Sequence, residues 1–437
     1  MTDRPVEVIG GGLAGSEAAW QLSRRGIPVV LHEMRPIVTT PAHITGKLAE
    51  VVCSNSFGAD STSSPAGILK SELRRLESVI LSCADMARVP AGKALAVDRE
   101  IFSSLVTEKL QSCPLITIVR EEITELPEGP AILATGPLTS PSLAESLRRA
   151  VGTGYLSFFD AVAPVVEADS IDMGKAFRGG RWGQEEDYIN CPFTRTEYEA
   201  FWQALTTAER ALPHDFEDSP SWFEGCLPVE VMASRGVDTL RFGPLRPVGL
   251  PLPSTGREAH AVVQLRQDNR EGSLYNLVGF QTSLRWGEQE RVFRMIPGLE
   301  KAEFARFGVM HRNIYVNAPA VLDPHLRIRG REDLFLAGQI TGVEGYMEST
   351  AMGCVAAINL SSRLLGRPFP AWPLETATVA LLHYLSDARE AHFQPMNVNL
   401  GIFPPLGKKI RNKSLRCEMV ASRAHDAMTG FLAAIRQ

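Results

Sequence analysis

A glycine-rich turn near the N-terminus constrains the fold of this chain more than any other feature. Residues 6–9 form a short apolar run typical of a buried strand, and a helix-forming stretch continues to residue 25. Between them the sequence fits G-x-G-x-x-G, with the residues Gly10, Gly11, Gly12, Leu13, Ala14 and Gly15. In such a motif the glycines allow a tight turn, a close backbone approach to a pyrophosphate and close helix–strand packing. The alternative is a glycine-rich turn that binds no ligand. The strand before the turn and the helix after it favour the nucleotide-binding interpretation.

An acidic residue lies where a dinucleotide fold needs one. Residues 28–32 predict a second buried strand, and Glu33 ends it, roughly 20 residues beyond the motif. A carboxylate at this place binds ribose hydroxyls. The sequence therefore predicts a nucleotide site formed by the first β-α-β unit.

Two later segments favour FAD over NAD. Residues 131–134 and 334–337 each form a strand-like run, followed by Gly136 and by Gly338-Gln339. Such strand-to-glycine junctions line the rest of an extended flavin cofactor, and no second G-x-G-x-x-G provides a separate nicotinamide domain. The residue after Gly338 is often Asp in such proteins. Gln339 can form a hydrogen bond there but carries no charge.

The 437 residues are too many for one ordinary core. The β-α alternation ceases near residue 146 and returns near 315. We therefore predict a Rossmann-like α/β FAD-binding domain in two parts, residues 1–145 and 315–437, with an α+β substrate domain inserted at 146–314. Residues 36–67 are interpreted as a long functional loop, and a helical pattern resumes over residues 67–81.

The cysteines indicate reactive thiols rather than disulfides or zinc. Their number is seven, and none form a CxxC pair. A reducing cytoplasm is the expected location, and neither a signal peptide, a membrane span nor a metal site is expected. Cys53 and Cys226 lie in loop-like, Ser- or Gly-flanked segments. From the pattern alone each is as consistent with a packing residue as with a nucleophile.

The formal net charge of −5 means that a polyanionic partner needs a local basic patch. One basic stretch, mixed with aromatic residues, contains Arg285. A denser cluster near the C-terminus contains Lys408, Lys409 and Arg411. Both are predicted to contact nucleic-acid phosphates, and a solvated helix face is the alternative.

The chain resembles the bacterial folate- and FAD-dependent tRNA (uracil-5-)-methyltransferases. The resemblance runs through nearly the whole sequence. It is carried by residues 10–20, 33–36, 53–57, 89–99, 134–140, 190–192, 223–230, 242–250, 263–269, 274–282, 292–303, 309–313 and 336–346.

The resemblance implies an enzyme that methylates C5 of a uridine in the tRNA T loop. Methylenetetrahydrofolate would donate the carbon, reduced FAD the hydride, and NAD(P)H would reduce the flavin. The two catalytic cysteines of the family fall on Cys53 and Cys226. We expect Cys226 to add to C6 of uracil and Cys53 to act as acid–base partner, with exchanged roles as the alternative. Tyr346 is expected to stack on flavin or folate, with ordinary packing as the alternative.

Two departures concern substrate contacts. Gly58 follows the Cys53 segment where relatives usually have a basic residue, and residues 178–187 diverge. The resemblance also includes a related branch that methylates ribosomal RNA, which is therefore an alternative substrate. An FAD oxidoreductase acting on a small metabolite and a flavin-containing RNA-binding protein without turnover are alternative functions. An RNA-binding protein without turnover would have no need of two loop thiols.

Overall fold

The computed structural model describes residues 4–152, 156–183, 186–211, 227–407 and 410–435. The first elements along the chain are β1 (Val6–Ile9), α1 (Leu13–Ser23), β2 (Val29–His32), β3 (Ser56–Ala59), α2 (Pro65–Arg75), α3 (Val79–Met86), β4 (Arg88–Val89), β5 (Ala94–Val97), α4 (Arg99–Gln111), β6 (Ile116–Val119), β7 (Ala131–Leu133) and α5 (Pro141–Val151).

The middle of the chain contains β8 (Leu156–Ala161), β9 (Val165–Glu167), β10 (Phe177–Arg178), β11 (Tyr188–Phe193), α6 (Arg195–Thr207), α7 (Val229–Ser234), α8 (Thr239–Phe242), β12 (Ala261–Gln267), β13 (Leu274–Leu277), α9 (Trp286–Phe293), β14 (Phe304–Arg306) and β15 (Met310–Tyr315). The last elements are α10 (Ala318–Val321), β16 (Leu334–Leu336), α11 (Tyr346–Leu364), α12 (Ala377–Asp387) and α13 (Lys413–Ile435).

A five-stranded parallel sheet organises both ends of the chain. Its order is β16-β7-β1-β2-β6, so the strand before residue 338 lies beside the first strands of the chain. Helices α1 and α11 cross so closely that a Cβ on Gly353 would lie 2.2 Å from the carbonyl oxygen of Ala14. The carboxyl ends of all five strands share one edge, which is where ligands bind in such sheets.

A second sheet belongs to the middle of the chain. Its order is β10-β11-β12-β13-β9-β14, and all its pairings are antiparallel. It has its own core, which includes Phe201, Phe280 and Phe293. Strands β8 and β15 pair at the two crossings between the parts of the chain. The predicted fold class, a Rossmann-like α/β domain with an α+β insertion, is confirmed, and the boundaries at 145 and 314 stay a prediction.

One local prediction was wrong in detail. The stretch 36–67 is not all loop, because it contains β3, which pairs with β5. Residues 67–81 belong to two helices, since the chain turns at Glu77, whose φ is 58°, and Ser78 caps the second helix by accepting a hydrogen bond from Leu81 N–H. Both helices have apolar periodicity, so the pattern did not show the break. In the part of the chain that the structure describes, no helix is both long and apolar enough to cross a bilayer.

Candidate active site

A cleft of about 470 Å³ opens at the carboxyl edge of the parallel sheet. The residues predicted for the cofactor meet here because each follows a strand of that sheet. Those in its lining are Gly10, Gly12, Leu13, Ala14, Glu33, Gly136, Gly338, Gln339 and Tyr346. Cys53 lines the same cleft, although its segment precedes β3 in a different sheet.

The glycines of the turn have different roles. Gly10 has a φ of 101°, and a Cβ there would lie 2.6 Å from the Ala134 carbonyl oxygen. At Gly15 a Cβ would lie 1.8 Å from the Gly10 carbonyl oxygen, so no other residue fits between helix and strand. A Cβ on Gly12 would meet no atom within 4 Å. The first and third glycines are therefore required by packing, and the middle one leaves open space towards the cleft, as a pyrophosphate requires.

Glu33 is held in a buried ion pair. Its carboxylate accepts hydrogen bonds from Gly11 N–H at 2.9 Å and from Arg35 Nε at 2.9 Å. Burial opposes ionisation, but these donors hold the pKa of Glu33 below its ordinary value. Arg35 also contacts Glu50 at 3.0 Å. Glu33 thus joins the glycine turn to the next loop, and its contact with a ribose stays a prediction.

A carboxylate lies beside Gln339, where the sequence predicted no charge. The Gln339 side-chain amide donates to Glu344 Oε2 at 2.6 Å, and Glu344 also lines the cleft. The charge that an Asp would supply at 339 is therefore present five residues later. The sequence did not reveal the turn that brings Glu344 back beside Gln339.

Tyr346, the first residue of α11, holds Cys53. Its hydroxyl oxygen accepts from the N–H groups of Cys53 at 3.0 Å and Ser54 at 3.2 Å. The same oxygen is 3.1 Å from Cys53 Sγ. Since the oxygen already accepts two bonds, its hydrogen is free to point at the sulfur. Burial raises the pKa of Tyr346 well above its ordinary value, so the phenol keeps that hydrogen.

The expected stacking of Tyr346 on a ligand stays a prediction. In the structure its ring packs edge-on against Phe57, with centroids 5.6 Å apart. The contact between Tyr346 and Cys53 was missed by sequence reasoning. No local pattern could reveal it, because the two residues lie 293 positions apart.

Two buried arginines support the Cys53 segment and were also missed. Arg99 donates to the Val51 carbonyl oxygen at 2.7 Å and pairs with Asp268 at 3.0 Å. Arg266 donates to Ser54 Oγ at 2.7 Å. Both arginines occur in stretches that carry the family resemblance, 89–99 and 263–269, which was the signal available. The start of α4 and strand β12 therefore both support the Cys53 segment.

The remaining predicted residues are not in the cleft or are not described. Cys226, Lys408 and Lys409 lie outside the described residues. Arg285 is on the surface, where it pairs with Glu209 at 2.8 Å. Arg411 is exposed. Within the described ranges no cluster of three or more His, Cys, Asp or Glu side chains could hold a metal ion.

Known proteins are similar to this chain over nearly its whole length. The chain is 58% identical over 426 residues to the methylenetetrahydrofolate–tRNA-(uracil-5-)-methyltransferase TrmFO of Moorella thermoacetica, covering 97% of each chain. The chain belongs to this methyltransferase family. TrmFO of Desulforudis audaxviator is 57% identical, with 98% of each chain covered, and TrmFO of Listeria monocytogenes serotype 4b is 54% identical, with 98% of each chain covered.

A family model also matches most of the chain. The model of the family described as glucose inhibited division protein A matches residues 5–368. GidA of Aquifex aeolicus has a similar solved structure, with a TM-score of 0.69 and 15% identity, covering 98% of this chain and 73% of that one. At this identity the likeness concerns the fold alone. The family resemblance inferred from the sequence is confirmed.

Proposed function

We propose that this protein transfers a one-carbon unit from methylenetetrahydrofolate to C5 of a uridine in tRNA and completes it as a methyl group. The named activity of relatives more than 50% identical over their whole length supports this reaction. One structural observation carries the proposal. The thiol of Cys53, held by Tyr346, lies in the wall of the same cleft that the glycine turn lines.

FAD fits the cleft at the glycine turn. The open space above Gly12, the positive N-terminal end of α1 and the carboxylate of Glu33 suit its pyrophosphate and ribose. Gly136, Gly338 and Gln339 line the far part of the cleft for the rest of the cofactor. Bound FAD would supply the hydride that completes the methyl group, and NAD(P)H would restore the reduced flavin.

Two thiols suit the chemistry of uracil C5, which is a poor nucleophile. We assign Cys226 to the attack: its thiolate bonds to C6, and the C5–C6 π pair moves onto the C4 carbonyl oxygen as an enolate. C5 then attacks the methylene carbon of the folate iminium, and the C=N π pair moves onto the folate nitrogen. Cys53 removes the proton from C5, and the folate amine leaves, so that an exocyclic methylene remains on C5. A hydride added to this methylene would complete the methyl group, and the Cys226 thiolate leaves C6 as the C5–C6 double bond forms again. The described chain after Cys226 supports this placement. Val229 N–H donates to the Gln281 carbonyl oxygen, and Gln281 lines the cleft.

The uridine must leave its stack to reach a thiol in the wall of the cleft. We propose that the antiparallel sheet and its helices, residues 146–314, form the substrate domain. Arg285, Lys408, Lys409 and Arg411 are proposed to contact RNA phosphates, in the cytoplasm where the substrate RNA is found.

Mass mapping of RNA from a strain that lacks this gene, with and without the gene restored, tests the function. We expect one T-loop uridine of tRNA to lose its C5 methyl group and to regain it on complementation. Loss from ribosomal RNA instead would reassign the substrate. An unchanged methylation map would contradict the proposal and favour an oxidoreductase of small metabolites.

A further inference from the structure

The indole ring of Trp182 forms an exposed flat surface, the Trp182 platform, beside the antiparallel sheet. An ideal Cβ on Gly249 would lie 2.9 Å from both Cδ2 and Cε2 of this indole. These nearest atoms form the bond that the two rings share, so the Cβ position lies above the ring plane. One face of the indole therefore covers the Gly249 backbone. Trp182 is 68% exposed, and among the described residues no ring or cation stacks on its open face.

The backbone of Trp182 adopts a conformation that bulky residues avoid. Its φ is 61° and its ψ is 35°, in the left-handed region. Trp182 N–H donates to the Gly249 carbonyl oxygen at 2.9 Å. Arg181 donates to the carbonyl oxygens of Arg246 at 2.8 Å and Val248 at 2.7 Å, which fixes the turn. Strain of this kind is typical of positions where a side chain has to be presented in one direction.

A free cation lies next to the platform. Arg246, whose carbonyl oxygen Arg181 binds, is exposed, and among the described residues its guanidinium has neither a hydrogen bond nor an ion pair. Two acids of this region, Glu258 and Asp187, instead accept hydrogen bonds from backbone N–H groups, at 2.9 Å and 2.6 Å. An open aromatic face with a free arginine beside it suits a nucleotide, which brings a ring to stack and a phosphate.

The platform and the Cys53 segment are attached to the same face of the antiparallel sheet. Arg181 Nε donates to Gln264 Oε1 at 3.1 Å, and Arg266 donates to Ser54 Oγ at 2.7 Å. Gln264 and Arg266 are two residues apart on β12, so their side chains lie on one face, about 7 Å apart along the strand. An RNA strand whose uridine enters the cleft is therefore within reach of the platform.

We propose that the Trp182 platform stacks an unpaired base of the substrate RNA outside the cleft, while Arg246 contacts a phosphate of the same strand. This inference rests on the proposed function and adds a base-stacking site for its substrate. Stacking needs no hydrogen-bond pattern, so the platform would position the strand without reading its sequence. Residues 178–187 diverge from the family resemblance, which is consistent with a role in substrate contact and not in the reaction.

A base fits this surface better than a protein partner does. The ring is a single apolar group among Gly183, Arg246 and Glu258, which are all exposed. A protein interface of ordinary size has an apolar core formed by several side chains. Contact with a second copy of the chain is therefore an outcome that the test has to distinguish from RNA binding.

The test compares Trp182→Leu with Trp182→Phe in the holoenzyme. Leu374→Ala, at a site that is 54% exposed, controls for loss of apolar surface elsewhere. Affinity for an unmodified tRNA transcript should fall about 5- to 150-fold in Trp182→Leu and by less than about threefold in Trp182→Phe, which keeps a ring. In both variants kcat at saturating RNA and flavin content should stay within about twofold of wild type, because this contact is the same before and during the reaction.

Two further readouts identify the base and the phosphate. The fluorescence of 2-aminopurine falls when this base stacks, so it is placed at successive unpaired positions of the RNA. One position should lose emission on binding to wild type and to Trp182→Phe, but not to Trp182→Leu. Arg246→Gln should lower the slope of log affinity against log salt by about 0.7–0.9, whereas Trp182→Leu should leave the slope unchanged.

Trp182→Asn separates presentation of the ring from packing. Asn adopts the left-handed region more readily than Trp, so the thermal midpoint should stay the same or rise. RNA affinity should nevertheless fall as it does in Trp182→Leu. A lower thermal midpoint in both variants with unchanged RNA affinity would make Trp182 a packing residue.

The remaining outcomes would also overturn the inference. Unchanged RNA affinity with loss of self-association in Trp182→Leu would make the platform a contact between two copies of the chain. Equal losses of affinity in Trp182→Phe and Trp182→Leu, without a 2-aminopurine response, would exclude stacking. RNA binding and methylation that no Trp182 variant changes would remove the platform alone. Wild-type protein that neither binds nor methylates RNA would remove the proposed function itself.

Discussion

At the scale of single residues, the contact of Tyr346 with Cys53 is the feature that gives the cleft a chemistry. One hydroxyl oxygen accepts from two backbone N–H groups and lies 3.1 Å from the sulfur. A phenol that donates to sulfur favours the thiolate, which is the form of cysteine that acts as a base or nucleophile. The contact would therefore prepare Cys53 for the proton transfer that we propose for it.

Tyr346→Phe should lower the reactivity of the Cys53 thiol without removing the cofactor site. A hydrogen bond to a charged group contributes about 1.5–3 kcal/mol, so alkylation of Cys53 at neutral pH should slow roughly ten- to a hundredfold. RNA methylation should fall by a similar factor, and flavin content should stay unchanged. Phe57→Leu, which keeps the hydroxyl, is the matched control. Unchanged alkylation of Cys53 in Tyr346→Phe would show that the hydroxyl does not act on the thiol.

Two glycines of the turn should respond differently to the same substitution. Gly12→Ala adds a methyl group to open space, so the protein should fold normally but lose most of its flavin. Gly15→Ala places a methyl group against the Gly10 carbonyl oxygen and should cost about 1–3 kcal/mol of stability. Flavin absorbance per protein and the thermal midpoint distinguish the effects. Full flavin content in Gly12→Ala would contradict the proposed cradle.

At the scale of elements, the sequence predicted what depends on neighbours along the chain. The strand–turn–helix at residues 6–25 and the two strand-to-glycine junctions were correctly located, and topology placed them at one sheet edge. Long-range contacts could not be predicted. The pairing of Arg99 joins the start of α4 to Asp268, just beyond β12, and nothing in either segment reveals the other.

Helix α12 offers a prediction about pH. Glu72 on α2 accepts hydrogen bonds from Ala377 N–H and Thr378 N–H at the start of α12. Burial nevertheless raises its pKa from the ordinary 4.5 to about 7. The unfolded chain then releases the proton first, so the free energy of unfolding should fall by about 3 kcal/mol as pH rises from about 4.5 to 7.

Urea unfolding across this pH range measures the slope. Glu72→Gln should remove this fall, because an amide does not titrate, and Glu145→Gln at an exposed site should keep it. Parallel pH profiles of the free energy of unfolding in wild type and Glu72→Gln would contradict this prediction and show that Glu72 is ionised in the folded protein. The hydrogen bonds that Glu72 accepts at the start of α12 favour that ionised form.

At the scale of the whole molecule, an enzyme with net charge −5 has to attract a polyanion locally. Arg411 is exposed, whereas Arg285 already pairs with Glu209. We therefore expect Arg411 to contribute more to RNA affinity. The cluster of cations near the C-terminus can be read from the sequence, and its role stays a prediction, whereas the acidic partner of Arg285 lies 76 positions away and could not be predicted.

Arg411→Glu should weaken RNA binding and reduce its salt dependence. Each phosphate contact that is lost lowers the slope of log affinity against log salt by about 0.7–0.9. Arg195→Glu, an exposed site on α6, is the control for the change in net charge. Equal salt slopes in wild type and Arg411→Glu would exclude this residue from the RNA surface.

The source of the methyl carbon tests the proposed reaction most directly. Purified protein is incubated with a tRNA transcript, NAD(P)H and methylenetetrahydrofolate labelled at its methylene carbon, beside a reaction given labelled S-adenosylmethionine instead. We predict that label from the folate alone appears in the C5 methyl group of one uridine, and that Cys53→Ala and Cys226→Ala abolish it. Label from S-adenosylmethionine, no label in RNA, or full incorporation in both alanine variants would contradict the account.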